Sequence, residues 1–406
     1  MKTFLNAKLT LAFIGLILTF LAIPNIVCSF DGVILEYRND PCTTMNISWE
    51  SQGTGVQFLS YLPLSESDVS ATVVNAKIHR LSTNRGEKIL AVVGLEGLLA
   101  GTDYRYRLSD GNSWIVQGTF STAPRAIGNF KFLVLGDSQC SRMNYSIWGR
   151  TLNQAYYRNS DAAFFVNVGD MVDNGADYGQ WHEWLKNSVA VSSRLPFVPV
   201  LGNHEMRYSE GFSGKALTES LFFDNSQKII DKDIGAYSFD YAGIHLVILD
   251  TEALLDSKQQ AVVEINWLEN DLRHAQGKPT MVFMHRPLYN SKFFESAISG
   301  ALVGQLQPLF EKYAVRAVFA GHVHQNSRTL PLIAGSVVKA NGIVYFTCGR
   351  SGAKKYPAWL TAQSAHNGYY YSPAAEPTYM TVEVAGKEIK VNTFTQQGKE
   401  LDSTLL

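Results

Sequence analysis

Five short apolar runs, spread over residues 130–324, all stop on side chains that can bind a cation. They are "FKFLVLGD" (130–137), "AAFFVNVGD" (162–170), "PFVPVLGNHE" (196–205), "TMVFMHRP" (280–287) and "RAVFAGHVH" (316–324). Runs that are apolar throughout, without alternation, read as strands covered on both faces. Helical patterns lie between them. In "QQAVVEINWLENDLRHA" (259–275), Ala261, Ile265, Leu268 and Leu272 recur at helical spacing and make one apolar face. "YSFDYAGIHLVILD" (237–250) reads as a hairpin about Ala242 and Gly243, and "MTVEVAGKEIKVNTF" (380–394) as one turning at Gly386. This part of the chain predicts a mixed α/β domain, two packed sheets with helices outside.

Residues 30–124 differ. Short alternating runs such as "MNISWES" (45–51) and "TDYRYRL" (102–108) are separated by Gly, Ser and Asp turns and predict an all-β unit. Trp49 on an early strand, with Tyr104 and Tyr106 after a Gly-Thr turn, resembles a fibronectin type III sandwich, the three aromatics serving as core. "STAPRAIG" (121–128) reads as a linker, so the sandwich spans 30–124 and the α/β domain 128–398.

At the N-terminus, Lys2 and Lys8 precede the apolar run 9–23, which stops at Pro24. That pattern reads as a secretory signal over residues 1–29, cleaved near Ser29, for an extracellular or periplasmic protein with no span left after cleavage. The rival reading is an uncleaved anchor, against which Pro24 and Asn25 interrupt the run. Cys42, Cys140 and Cys348 would then remain. They form no disulfide framework, Cys140 with Cys348 being the better pair for a single bridge. With 46% apolar and 17% charged residues and a net charge of −1, the chain is globular and shows no surface made for nucleic acid.

In α/β folds, ligand sites gather at the carboxyl ends of strands. The five runs place there Asp137, Asp170, Asn203 with His204, His285, and His322 with His324. One Gly-Asp after a strand is usually a turn; five such endings placed alike point to a site. The other histidines, His79, His182, His245, His274 and His366, read as structural or surface residues. Imidazole nitrogens mixed with carboxylate and amide oxygens suit Zn, Mn or Fe rather than Mg. Two such ions at one site can clamp the attacking and leaving oxygens of an in-line displacement.

The order GD…GD…GNHE…H…GHVH resembles the calcineurin-like metallophosphoesterases, and with the sandwich in front it is most similar to the purple acid phosphatase branch. The resemblance implies a two-metal site in which Asp170 bridges, Asp137 and His324 hold the first ion, and Asn203, His285 and His322 hold the second. It implies a proton donor in His204. Two positions depart from the pattern: Asp173 stands where the purple enzymes have a tyrosine, and Gln139 where other members have a histidine. Gln139, Asp173 or water would complete the first site, and a divalent pair of Fe, Mn or Zn replaces the purple iron centre. Arg286 and Arg350 are candidate phosphate contacts, with Lys354 and Lys355 just beyond. Trp181, Trp184, Tyr208 and Tyr369–Tyr371 either line a pocket or pack. The expected function is a secreted phosphomonoesterase that attacks the phosphorus of a small-molecule phosphoester with a metal-acidified water. The alternatives are a phosphodiesterase on nucleotides or phospholipid head groups and a surface-binding protein with an inert site.

Overall fold

The apolar runs are strands: Phe130–Leu135, Ala162–Asn167, Phe197–Pro199, Thr280–Phe283 and Ala317–Ala320, the last three buried at every position. The structure, a computed structural model, describes residues 32–406 except 38, 52–55, 110–113, 141–143, 224–234 and 291–295. The segment read as a signal, 1–29, lies outside the described residues. Among those described, no helix is long and apolar enough to cross a membrane.

Two large sheets carry the α/β part. In the first, Thr378–Ala385, Phe130–Leu135, Ala162–Asn167 and Phe197–Pro199 lie side by side, the last three parallel. In the second, Ile244–Ile248, Thr280–Phe283, Ala317–Ala320 and Val344–Cys348 are parallel neighbours. The sheets meet through aromatic side chains. Phe132 stacks on Phe164 at 4.7 Å and meets Phe283 of the other sheet edge-on at 6.0 Å, while Phe283 stacks on Phe319 at 5.1 Å. Helices Ser146–Arg158 and Tyr178–Ser192 pack outside the first sheet, with Trp148 and Trp184 stacked at 5.4 Å. Helices Lys258–His274 and Ser296–Lys312 cover the second, where Leu268, Leu272, Leu302, Leu306 and Phe310 join one core with Val282 and Val318. Both expected hairpins form, Tyr237–Tyr241 with Ile244–Ile248 and Thr378–Ala385 with Glu388–Thr395.

The N-terminal strands form a sandwich. Val33–Glu36, Met45–Ser51, Gly86–Leu95 and Lys77–Thr83 make one layer; Thr72–Asn75, Phe58–Pro63, Asp103–Ser109 and Trp114–Ser121 make the other. Trp49 and Tyr106 are fully buried. The two tyrosines do more than pack. The Tyr104 hydroxyl accepts a hydrogen bond from the Leu99 N–H at 2.8 Å, which pins the preceding turn. The Tyr106 hydroxyl donates to the Ser193 carbonyl at 2.7 Å, at the end of a helix of the α/β part.

One strand pairing adds to the sequence reading, and one expectation changes. The sandwich is not a separate bead: Val33–Glu36 pairs in parallel with Phe197–Pro199 through Glu36 and Phe197, so one ten-stranded sheet crosses the linker. The reason is that all four residues of that strand are buried and need cover on both faces. No disulfide joins Cys140 to Cys348. The Cys140 sulfur accepts from the Asn144 N–H at 3.0 Å, and burial pushes the Cys348 thiol well above its usual pKa.

His245, at the start of a strand, sits between two carboxylates, 2.8 Å from both Asp240 and Asp271, with Lys278 against Asp240. Burial lowers its pKa, but the two carboxylates overcome this and raise it to about 9. A raised folded-state pKa stabilises the protein fully below the unfolded imidazole value of roughly 6.5, and that contribution fades as pH climbs through the folded value. We expect His245→Gln to lower the melting temperature most at pH 6, with the gap to the parent narrowing by pH 10. Thermal melts across that range check it; a constant gap would contradict it.

Candidate metal centre

Parallel neighbouring strands deliver their carboxyl ends to one side. Asp137, Asp170 and Asn203 follow the three parallel strands of the first sheet; His285 and His322 follow adjacent parallel strands of the second. The turn after each strand must be abrupt. Asp137, Asp170, His322 and His324 adopt φ values of 49°, 52°, 70° and 58°, in the left-handed region that ordinary side chains avoid. Two glycines allow the close approach. Gly169 has φ +91°, and a Cβ there would lie 2.5 Å from His285 Nδ1; one on Gly202 would lie 2.5 Å from Asp170 Oδ1. The loops are laced by backbone bonds, Asp137 N–H to Gly169 O at 3.0 Å, Gln139 N–H to Asp170 O at 3.1 Å, and Gly321 N–H to His285 O at 2.9 Å.

The side chains converge in two clusters that share one carboxylate. Asp170, His285 and His322 form the first, and Asp137, Asp170 and His324 the second, all buried, the ligand-type atoms of each lying within 4.8 Å of one another. Asn203 joins the former: its Oδ1 is 3.2 Å from His285 Nε2 and 2.9 Å from His322 Nδ1. His285 Nδ1 donates to the Val168 carbonyl at 2.8 Å, which turns Nε2 toward Asp170 Oδ1 at 3.2 Å. His324 repeats the device, Nδ1 donating to the Lys354 carbonyl at 2.9 Å with Nε2 3.3 Å from Asp137 Oδ1. In both, a backbone carbonyl holds Nδ1–H and turns Nε2 toward a carboxylate, where that nitrogen can carry a proton or a metal ion.

A ring nitrogen turned on a carboxylate needs a positive species, a proton or a metal ion, between them. The atoms Asp137 Oδ2, Gln139 Oε1 and His324 Nε2 are buried with no hydrogen-bond partner. Such orphaned acceptors, three histidines and mixed oxygens fit a pair of transition-metal ions. Burial alone would raise Asp170, yet His285, His204 and His322 hold it well below the usual carboxylate range, while Asp170 and its hydrogen bond raise buried His285 to about 10. These opposed shifts mark a place where the fold favours positive charge beside Asp170.

The remaining candidates separate. Gln139 lies in the centre, its Nε2 donating to Asp170 Oδ2 at 3.0 Å, which leaves Oε1 buried without a hydrogen-bond partner. The Asp173 carboxylate is engaged by Lys354 at 2.6 Å and Arg207 at 3.7 Å and is not part of either cluster. His204 is buried, with Nδ1 2.6 Å from the Asp173 carbonyl and Nε2 3.7 Å from Asp170 Oδ2. Burial lowers its pKa against the pull of Asp170, and Lys354 and Arg207 add to the lowering. Arg286 forks onto Glu252 at 2.6 and 3.0 Å and places Nη1 3.3 Å from His322 Nε2, at the edge of the centre. Arg350 is 2% exposed and donates to the carbonyls of Gly352 and Ala375, so it ties loops together. Trp181 and Trp184 are fully buried and pack rather than line a pocket, Trp184 Nε1 donating at 2.9 Å to the Oγ of Ser138, the residue after Asp137.

Sequence reasoning passed over Glu205, although it ends the GNHE run. Its buried carboxylate accepts from the N–H groups of Asp170 at 2.8 Å, Gly202 at 2.9 Å and Val172 at 3.2 Å. Burial and the neighbouring Asp170 push it up to about 8. One side chain thus ties the loop of the shared carboxylate to the loop of Asn203. Glu205→Ala leaves three buried donors unpaired and is expected to cost about 3 kcal/mol and to loosen metal retention. A urea melt with elemental analysis checks it, and unchanged values for both would contradict this role.

Comparisons with known proteins agree with the geometry. Residues 130–326 match the model of the calcineurin-like phosphoesterase family. The chain is 26% identical over 264 residues to purple acid phosphatase 21 of Arabidopsis thaliana, covering 64% of this chain and 57% of that one. It is 25% identical over 419 residues to acid phosphatase type 7 of Mus musculus, covering 92% and 89%. A purple acid phosphatase from yellow lupin (Lupinus luteus) seeds superposes with a TM-score of 0.74 at 17% identity, over 92% of this chain and 73% of that one. Residues 130–326 thus match the calcineurin-like phosphoesterase family, and the chain is similar over most of its length to purple acid phosphatases.

Proposed function

We propose that this protein is an exported two-metal hydrolase of phosphate monoesters. The observation that carries the reading is the pair of buried donor clusters sharing Asp170, with orphaned acceptors on the Asp137 side. Asp137, Asp170, His324 and Gln139 Oε1 would hold one ion, and Asp170, Asn203, His285 and His322 the other. When bound, a pair of divalent Fe, Mn or Zn ions acidifies water and neutralises charge on the phosphoryl group. The protein's part is to keep both ions in register and to order the substrate. Arg286 lies beside His322 at the edge of the centre, where a phosphate oxygen would approach. His204 has Nδ1 fixed on the Asp173 carbonyl, so its Nε2, once freed of Lys354 and Arg207 and protonated from solvent, would be the atom to pass a proton to the leaving oxygen.

In this reading residues 30–124 are a fibronectin type III-like sandwich that braces the catalytic unit, residues 128–398. Export rests on the basic and apolar pattern of residues 1–29. The sandwich presses on the helix behind the centre, through Tyr106 to Ser193 and through Ser192 Oγ, which donates to the Val33 carbonyl at 2.7 Å.

Two substitutions test the roles. Asp170→Asn is expected to lose both ions and turnover together, because one carboxylate serves both clusters. His204→Ala should retain both ions and lower kcat on an aryl monophosphate by about two to four orders of magnitude. Elemental analysis beside steady-state kinetics separates the cases. Loss of metal from the His204 variant would make that residue a support of the centre rather than its proton donor.

A further inference from the structure

Lys354 stands out among residues to which the sequence assigned no role. Its backbone is held from two sides: its N–H donates to the Gln139 carbonyl at 3.3 Å, and its own carbonyl accepts from His324 Nδ1 at 2.9 Å. Residue 354 is therefore fixed to two loops of the metal centre. The side chain puts Nζ 2.6 Å from Asp173 Oδ1 and 3.2 Å from His204 Nε2. Arg207 reaches the same two groups, Nη2 3.2 Å from the same His204 nitrogen and Nη1 3.7 Å from Asp173 Oδ2. Two cations thus share one carboxylate. Lys354 is 19% exposed and Arg207 44%, so both are within reach of solvent and of a bound molecule.

We propose that Lys354, assisted by Arg207, holds the second negative charge of a phosphate monoester and so makes the centre select monoesters over diesters. This rests on the function proposed above and deepens it. A monoester is largely a dianion at pH 7, since its second pKa is near 6. Its extra anionic oxygen supplies the counter-charge that Asp173 alone does not give two cations. A diester carries a single charge and would set an uncharged ester oxygen and its substituent against the ammonium, leaving desolvated charge unmatched. Lys354 and Arg207 would also turn from His204 Nε2 to the phosphate, which clears that nitrogen for the leaving oxygen.

The test compares the metal-loaded protein with Lys354→Met and Lys354→Arg on an aryl monophosphate and on the matching bis-aryl diester, with metal content measured for each. The expected result is a fall in monoester kcat/KM of about 100-fold for Lys354→Met, from loss of one short-range charge contact. The diester value should change less than about threefold, metal content should stay the same, and Lys354→Arg should recover most of the loss. An equal fall on both esters, or a loss of metal, overturns the role of Lys354 while leaving the hydrolase reading intact. A parent protein that hydrolyses neither ester overturns both.

Discussion

The carboxylate of Asp170 is the joint on which the structure turns. It is buried, it belongs to both donor clusters, and its Oδ1 accepts the His204 N–H at 3.0 Å while facing His285 Nε2 at 3.2 Å. Its backbone N–H is held by Glu205 and its carbonyl by the Gln139 N–H. A buried carboxylate is costly unless positive charge and donors surround it. The His204 N–H, the Gln139 amide and the three histidines supply these against the opposing charge of Asp137 and Glu205, and together they define where cations belong.

That joint exists because two sheets aim their parallel strand ends at the same region. The convergence carries strain: four candidate ligands sit at positive φ, costing roughly 1–2 kcal/mol each. Strain of this size persists only where surrounding structure over-determines it. Here the surroundings are the glycines that let loops touch, the backbone lacing, and the buried tryptophans. The sandwich adds to them by extending the first sheet and bracing the helix that carries Trp181 and Trp184. Stability and site are therefore one system, in which loosening a loop moves a ligand.

Much of this was legible from the chain. Unbroken apolar runs gave buried parallel strands, and the polar residues at their ends gave Asp137, Asp170, Asn203, His285, His322 and His324, because strand direction alone brings such ends together. What escaped depended on long-range pairing. Glu205 looks like one more acidic loop residue until three backbone donors are seen to meet on it. Lys354 is one of two adjacent lysines, and nothing local distinguishes the one whose neighbours are Asp173 and His204. Arg350, close to the site in sequence, spends its guanidinium on the carbonyls of Gly352 and Ala375, partners that nothing local names. The shared sheet was hidden too, since four apolar residues such as Val33–Glu36 name no partner.

The central claim is that two cations lie on either side of one carboxylate. A crystal of the metal-loaded protein, measured at the absorption edge of the metal supplied, tests it without recourse to activity. The account predicts two anomalous peaks flanking the Asp170 carboxylate, one beside Asp137 and His324 and the other beside Asn203, His285 and His322. A single peak, or peaks that leave Asp170 untouched, would contradict it.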